Sequence, residues 1–347
     1  MSDTRAEPHP PPATSEPALE PADARNPGRG RHRLLSLSER YGLLVVWAVV
    51  IGLFSILASQ TFPTAANFET IFGTQAVLLV MTLGLLFPLS VAEYDLSVGA
   101  VMGMSAIIVA YLNVLHQWPI AAAVAVAILM GLIVGAVNAF LVVGVGLSSF
   151  VTTLGMATLI DGLGYGLTSS VTVGGISPGL VTFVTYRIAG LPIAFYVGVA
   201  LCIVTWYVLQ HTPLGRHLVF VGESRDVARL NGLPVSWIRS GTLIACSAIA
   251  AIAGVLQAGV VAAAVPGGGD AYLLPAFAGA FLGATTIRPG RFNAWGAFVA
   301  VYFLVTGITG LELLGYSGWV QDVFYGGSLI VAVAFARLAG RRRQAIR

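Results

Sequence analysis

From Leu96 to Ile160 the chain runs for 65 residues without an Asp, Glu, Lys or Arg. A soluble domain of that length carries charged and polar side chains over its surface. A helix needs about 20 apolar residues to cross roughly 30 Å of hydrocarbon, so the run holds three crossings. His116-Gln117-Trp118-Pro119 and the stretch from Gly144 to Ser149 divide it into three. The rest of the chain is similar. Charged residues make up 10% of the 347 and mean hydropathy is +0.86, where an ordinary soluble domain is about 25% charged. A soluble enzyme, a nucleic-acid-binding domain and a disulfide-stapled secreted module are disfavoured on that ground. The expected class is an all-α, polytopic integral membrane protein.

Uncharged runs bounded by turn signals predict ten spans, near 41–59, 74–92, 97–115, 119–143, 149–168, 191–210, 240–262, 271–287, 292–309 and 319–336. Residues 1–38 read as a disordered, Pro-rich tail, with seven prolines before Arg33. Residues 39–338 form the membrane domain, and 339–347 a basic tail. All 18 basic residues are Arg. With ten spans and a cytoplasmic N-terminus, 17 of the 18 Arg fall on the cytoplasmic side and only Arg187 lies outside, as the positive-inside rule requires. Both termini are then cytoplasmic. Two polar turns between spans, Glu93-Tyr94-Asp95-Leu96-Ser97-Val98-Gly99 and Arg288-Pro289-Gly290-Arg291-Phe292-Asn293, resemble one another. They point either to an inverted repeat of two five-helix halves or to two unrelated hairpins.

The chemistry visible in the sequence is sparse. Without Lys there is no Schiff-base lysine and no phosphate loop ending in Gly-Lys-Ser/Thr. Cys202 and Cys246 lie in apolar runs and read as small buried hydrophobes. No metal-ligand spacing and no catalytic constellation is present, so no catalytic or metal site is expected. The spans offer neutral polarity instead, at Gln75, Asn113, Asn138, Thr152, Thr153, Gln257, Thr285 and Thr306. These groups suit an uncharged, hydrogen-bonding solute, or serve to hold helices together. Asp161 and Asp322 are the acids placed within spans, which makes them pathway candidates or acids near the outer face.

Two polar segments stand out. The largest charged loop after the N-terminal tail is 211–239. In it Ser224 is a plausible helix cap, Asp226 suits a first turn, and Gly232 followed by Pro234 is a stop. The result is a short helix carrying Val227 and Leu230, read as a solvated loop or as a docking helix for a cytoplasmic partner. In the 93–99 turn two carboxylates sit together at the membrane boundary. It is either a solvated turn or, if the second span is broken, a deeper element lining a pathway.

Ordered segments of this chain resemble a known family. Glu93-Tyr94-Asp95-Leu96-Ser97-Val98-Gly99-Ala100 is similar to the Asp-Leu-Ser-Val-Gly signature of ribose/xylose-type permeases of bacterial ATP-binding-cassette importers. Phe150-Val151-Thr152-Thr153-Leu154-Gly155-Met156 and Gly190-Leu191-Pro192 resemble its fifth and sixth span starts. Thr212-Pro213-Leu214-Gly215-Arg216, Gly222 and Ala228-Arg229-Leu230-Asn231-Gly232 resemble its cytoplasmic coupling loop. Gly283-Ala284-Thr285, Pro289-Gly290-Arg291 and Trp295-Gly296 resemble its late hairpin. Asp161-Gly162-Leu163 departs from the family's Arg-Gly-Leu, and Arg288-Pro289-Gly290-Arg291-Phe292 departs from its Gly-Gly-Arg-Gly.

The resemblance implies the permease fold of such importers, in the inner membrane of a bacterium, moving a sugar or polyol by alternating access. It implies two separate ATPase subunits that use ATP and magnesium, an extracytoplasmic sugar-binding protein, a second permease copy and no cofactor in this chain. Coupling to the ATPase falls on Gly215, Arg216, Gly222, Glu223, Ala228, Arg229, Leu230 and Gly232. The signature residues Glu93, Tyr94, Asp95, Leu96, Ser97 and Gly99, with Asn138, Thr152, Thr153 and Asp161, are the pathway candidates. A branched-chain amino acid or nucleoside permease is the alternative within the class, and a secondary carrier the alternative outside it.

Overall fold

The computed structural model describes residues 28–316 and 318–344, with side chains from Arg40 to Ala334. The Pro-rich stretch 1–27 and residues 345–347 lie outside the described residues. Helix α1 (Gly28–Leu57) begins within the expected tail, one residue after its last proline. The helices that follow are α2 (Ala65–Thr74), α3 (Ala76–Ser90), α4 (Val98–Ala110), α5 (Ile120–Ala139) and α6 (Ser149–Thr168). Single π turns, Tyr111–Leu115 and Phe140–Gly144, extend α4 and α5. Then come α7 (Pro178–Thr185), α8 (Ile193–His211), α9 (Pro213–Glu223), α10 (Arg225–Leu230), α11 (Val235–Val261), α12 (Asp270–Gly283), α13 (Ala294–Leu313) and α14 (Trp319–Gln344). The strands are two-residue pieces. β1 (Val173–Gly174) pairs antiparallel with β4 (Ala263–Ala264), and β2 (Arg187–Ile188) with β3 (Leu191–Pro192).

Every expected span coincides with a helix. Among the described residues seven helices are long and apolar enough to cross a membrane, and α2 with α3, bent by 40°, makes an eighth. Helix α12 and the described apolar part of α14 are shorter. The centre is α3, buried from Ala76 to Leu89, as expected of a helix apolar on all sides. Helix α1 instead leaves Val45, Val46, Val49, Leu53 and Ile56 exposed, a face suited to lipid. Small residues let helices approach closely. Gly131 and Gly135 of α5 abut Ser247, Ala251 and Ile244 of α11.

The internal repeat has a different register from the one expected. Helix α4 packs on α5 and α6, and α12 packs on α13 and α14. Helix α11 packs across onto α4 and α5, and α3 across onto α12 and α13. The repeat therefore matches α3–α6 with α11–α14. The counterpart of the 91–97 segment is 262–269, not the turn at 288–293. Inversion is the reason. Equivalent links of an inverted repeat lie at opposite ends of the bundle, so two turns at the same end cannot correspond.

Helices α4 and α12 start inside the bundle, back to back. Gly99 and Gly269 are both buried, and a Cβ on Gly99 would sit 2.8 Å from the Gly269 carbonyl oxygen. From there the helices diverge. Helix α4 leads toward β1, where Gly175 faces Val114. Helix α12 leads toward the middle of α1, where the Ile287 N–H donates to the Arg40 carbonyl at 2.8 Å.

Candidate functional site

Two elements meet at the α9–α10 end of the bundle: the segment leading into α4 and the loop expected to dock a partner. Gly215 is buried in the first turn of α9, against the Leu209 carbonyl of α8. Gly222, on α9, abuts the Ser90 carbonyl at the end of α3, a contact that leaves no room for a Cβ. Leu218, Val221, Ala228, Val235 and Ile238 pack there with Phe87 and Val91. The short helix α10 forms as its sequence predicts. The Ser224 hydroxyl accepts from the Val227 N–H at 3.4 Å. At the other end Gly232 takes φ +77, and the Leu233 N–H donates to the Ala228 carbonyl at 3.1 Å, closing the helix as a left-handed C-terminal glycine does. Ala228 is buried, while Leu230 is 88% exposed. Arg216, Glu223 and Arg229 are exposed, and Arg229 lies 3.9 Å from Asp226.

The 93–99 segment is not a solvated turn. Glu93, Asp95 and Ser97 are buried, while Tyr94 is exposed at its rim. Glu93 is bound by two arginines that the sequence reading did not assign to it. Arg225, the first residue of α10, donates from Nη2 to Glu93 Oε1 at 2.7 Å. Arg239 of α11 donates from Nε to the same oxygen at 2.7 Å. The signal was present in the sequence, because a buried acid needs a cation and the 211–239 loop holds four Arg. Nothing in the sequence said which two reach it.

Beyond Glu93, the segment is held by the helices of its own half. The Tyr94 N–H donates to Ser149 Oγ at 3.2 Å, and the Leu96 N–H to Thr153 Oγ1 at 2.9 Å. Asp95 Oδ1 accepts from the Ser97 N–H at 3.0 Å and from the Ser97 hydroxyl at 2.6 Å. With its proton so used, Ser97 Oγ accepts from Asn138 Nδ2 at 2.9 Å. The positive end of α4 favours an anion at this place. The Cys246 thiol of α11 faces the Asp95 carboxylate, while Asn138 Oδ1, Thr152 Oγ1 and Ser247 Oγ have no hydrogen-bond partner among the described residues.

The structure therefore joins Glu93, Tyr94, Asp95, Leu96, Ser97, Asn138 and Thr153 in one network, with Gly99 just inside it. Asp161 stands apart from it, half-buried along α6, and Asp322 is exposed. Several other neutral polar groups hold elements together. Thr306 accepts from Trp47 Nε1 at 3.0 Å, Gln257 accepts from the Tyr272 hydroxyl at 3.2 Å, and Asn113 accepts from the Ser177 N–H at 2.8 Å. Cys202 and Cys246 are free and buried.

Comparison with known proteins agrees with this architecture. Residues 67–333 match the family model described as branched-chain amino acid transport system / permease component. The chain is 28% identical over 303 residues to the D-allose transport system permease protein AlsC of Escherichia coli, covering 87% of this chain and 93% of that protein. It is 28% identical over 294 residues to the ribose import permease protein RbsC of the same species, covering 84% and 91%. With the autoinducer 2 import system permease protein LsrD of Photorhabdus laumondii it shares 32% over 252 residues, covering 69% and 73%. No solved structure matches it with significance. A match over most of the chain, on a bundle of membrane-length helices, makes this a multi-pass membrane protein of the branched-chain amino acid transport system / permease component family, akin to its ribose-type sugar permeases.

Proposed function

We propose that this chain is the membrane subunit of an ATP-binding-cassette importer, moving a sugar or related polyol inward by alternating access. In this reading ten spans place both termini and the α9–α10 loop in the cytoplasm. Two copies enclose the path, an extracytoplasmic binding protein delivers the solute, and separate ATPase subunits dock on α10. ATP and magnesium act in those subunits.

The observation that carries the reading is the construction of α10. A six-residue helix is too short to be stable alone, yet this one is capped at both ends and seated on the bundle by Ala228. It then presents Leu230 to solvent at 88% exposure. An exposed leucine on a braced, projecting helix fits an apolar groove on a partner. The sugar class rests on the relatives, and the scarcity of charge in the spans favours a neutral solute.

The test is ATP-driven uptake into proteoliposomes holding this chain with its ATPase and binding protein. The panel is labelled D-ribose, D-allose, D-xylose and myo-inositol, with L-leucine beside them. Uptake of a sugar or polyol that needs ATP is expected. Leu230→Asp is expected to abolish assembly with the ATPase while leaving the chain's thermal stability unchanged. Uptake without the ATPase, or uptake of leucine alone, would refute the reading.

A further inference from the structure

Glu93 sits between two arginines that differ in setting. Arg239 belongs to α11, within the bundle, and its side chain is 15% exposed. Arg225 opens α10, at the edge of the docking loop, and is 40% exposed. Both bind Oε1 of a glutamate that is 3% exposed. The two pairs are therefore unequal. An ion pair at the rim is weak and separates at small cost. A mostly buried pair is costly to break, because it leaves an uncompensated charge. If α10 is displaced, Arg225 can leave while Arg239 still neutralises Glu93.

What lies beyond Glu93 is rigid. Of the next four residues, Tyr94, Leu96 and Ser97 are fixed by Ser149, Thr153 and Asn138 through hydrogen bonds of 3.2 Å or less, and Asp95 is tied to Ser97. The helix they open, α4, touches α12 backbone to backbone at Gly99 and Gly269. A pull on Glu93 is thus passed to the place where the two internally starting helices meet. No other ion pair among the described residues links α10 to the bundle. The remaining pair on α10, Arg229 with Asp226, is local to that helix.

We propose that Glu93 is a positioning residue that couples α10 to the α4–α12 junction, with Arg225 as the contact that makes and breaks during transport and Arg239 as the one that holds. This inference rests on α10 being the ATPase-docking helix. It also moves Glu93 from the lining of a path to the transmission of movement.

The experiment measures sugar imported per ATP hydrolysed, in proteoliposomes of the full complex, with the panel sugar that the parent complex imports fastest. Arg225→Gln is expected to assemble and to lower that ratio by about tenfold, the size of an ordinary coupling free energy. Arg225→Lys keeps the charge and is expected to restore the ratio. Arg239→Gln is expected to reduce the amount of folded complex instead. If Arg225→Gln lowers assembly, hydrolysis and uptake together and leaves the ratio unchanged, its role is merely structural and the inference falls. An unchanged ratio with normal assembly also overturns it. A parent complex that imports no sugar with ATP refutes the functional reading itself, whereas a parent that imports beside a variant with an unaltered ratio refutes only the coupling role.

Discussion

Residues 91–97 lead into α4 and residues 262–269 lead into α12, at equivalent places in the repeat. The first segment is held by side chains. Glu93, Asp95 and Ser97 are all buried, and each is bound to a group from a neighbouring residue or helix. The second is held by its backbone. Val173 pairs with Ala264, Gly267 leaves room for Tyr165 of α6, and Gly269 lets the chain approach α4 at Gly99. The two share a path but not a chemistry. The charged segment faces the loop that projects from the bundle, and the glycine segment lies toward the opposite end. Pseudo-symmetry of the backbone thus coexists with one-sided side-chain wiring.

Breaking the wired segment is expected to have the largest effect. Glu93→Ala leaves Arg239 largely buried without its carboxylate, a loss of about 3–5 kcal/mol by analogy with other buried pairs. The expected result is a large fall in folded protein, read by fluorescence-detected size exclusion. The glycine segment should fail for a different reason. A Cβ on Gly269 collides with the Gly99 carbonyl, and overpacking of this kind costs about 1–3 kcal/mol. Gly269→Ala should therefore lower the melting temperature, and Gly269→Val should lower it further. A neutral Gly269→Val would show that α4 and α12 do not meet there.

Asp95 sharpens the comparison. Asp95→Ala removes the acceptor for the Ser97 amide and hydroxyl, at about 1–3 kcal/mol, whereas Asp95→Asn keeps an acceptor and should cost less. The smallest effect is expected at Arg187, whose pair with Glu69 spans 2.8 Å but is 62% exposed on the arginine side. Arg187→Gln should change stability by about 1 kcal/mol or less.

Much of the bundle was legible because membrane helices announce themselves locally. The stretch 149–168 coincides with α6 from end to end, and Ser224 and Gly232 bounded α10 correctly. What hid was whatever depended on distant residues. Helix α9 was missed because Gly215 and Gly222, which lower helix propensity, are there for contacts with Leu209 and Ser90. The turns at 93–99 and 288–293 look alike in sequence but are unrelated, the second of the two readings left open, because packing sets the 91–97 segment opposite the glycine segment instead. Asp161, offered by the sequence as a pathway candidate or an acid near the outer face, lies half-buried on α6 outside the network at α4.

By itself the sequence determined that the chain lives in a bilayer, where its helices run, and that a capped helix stands in the loop after the sixth predicted span. Those properties follow from hydropathy, capping and turn chemistry, each acting over a few residues. Only the tertiary structure decided that Glu93 binds Arg225 and Arg239, that Asp95 is buried, and that α4 and α12 start against one another inside the bundle. A buried charge and a backbone contact have no local signature. The partners of Glu93 and Gly99 lie more than a hundred residues away, and packing alone selects which partners those are.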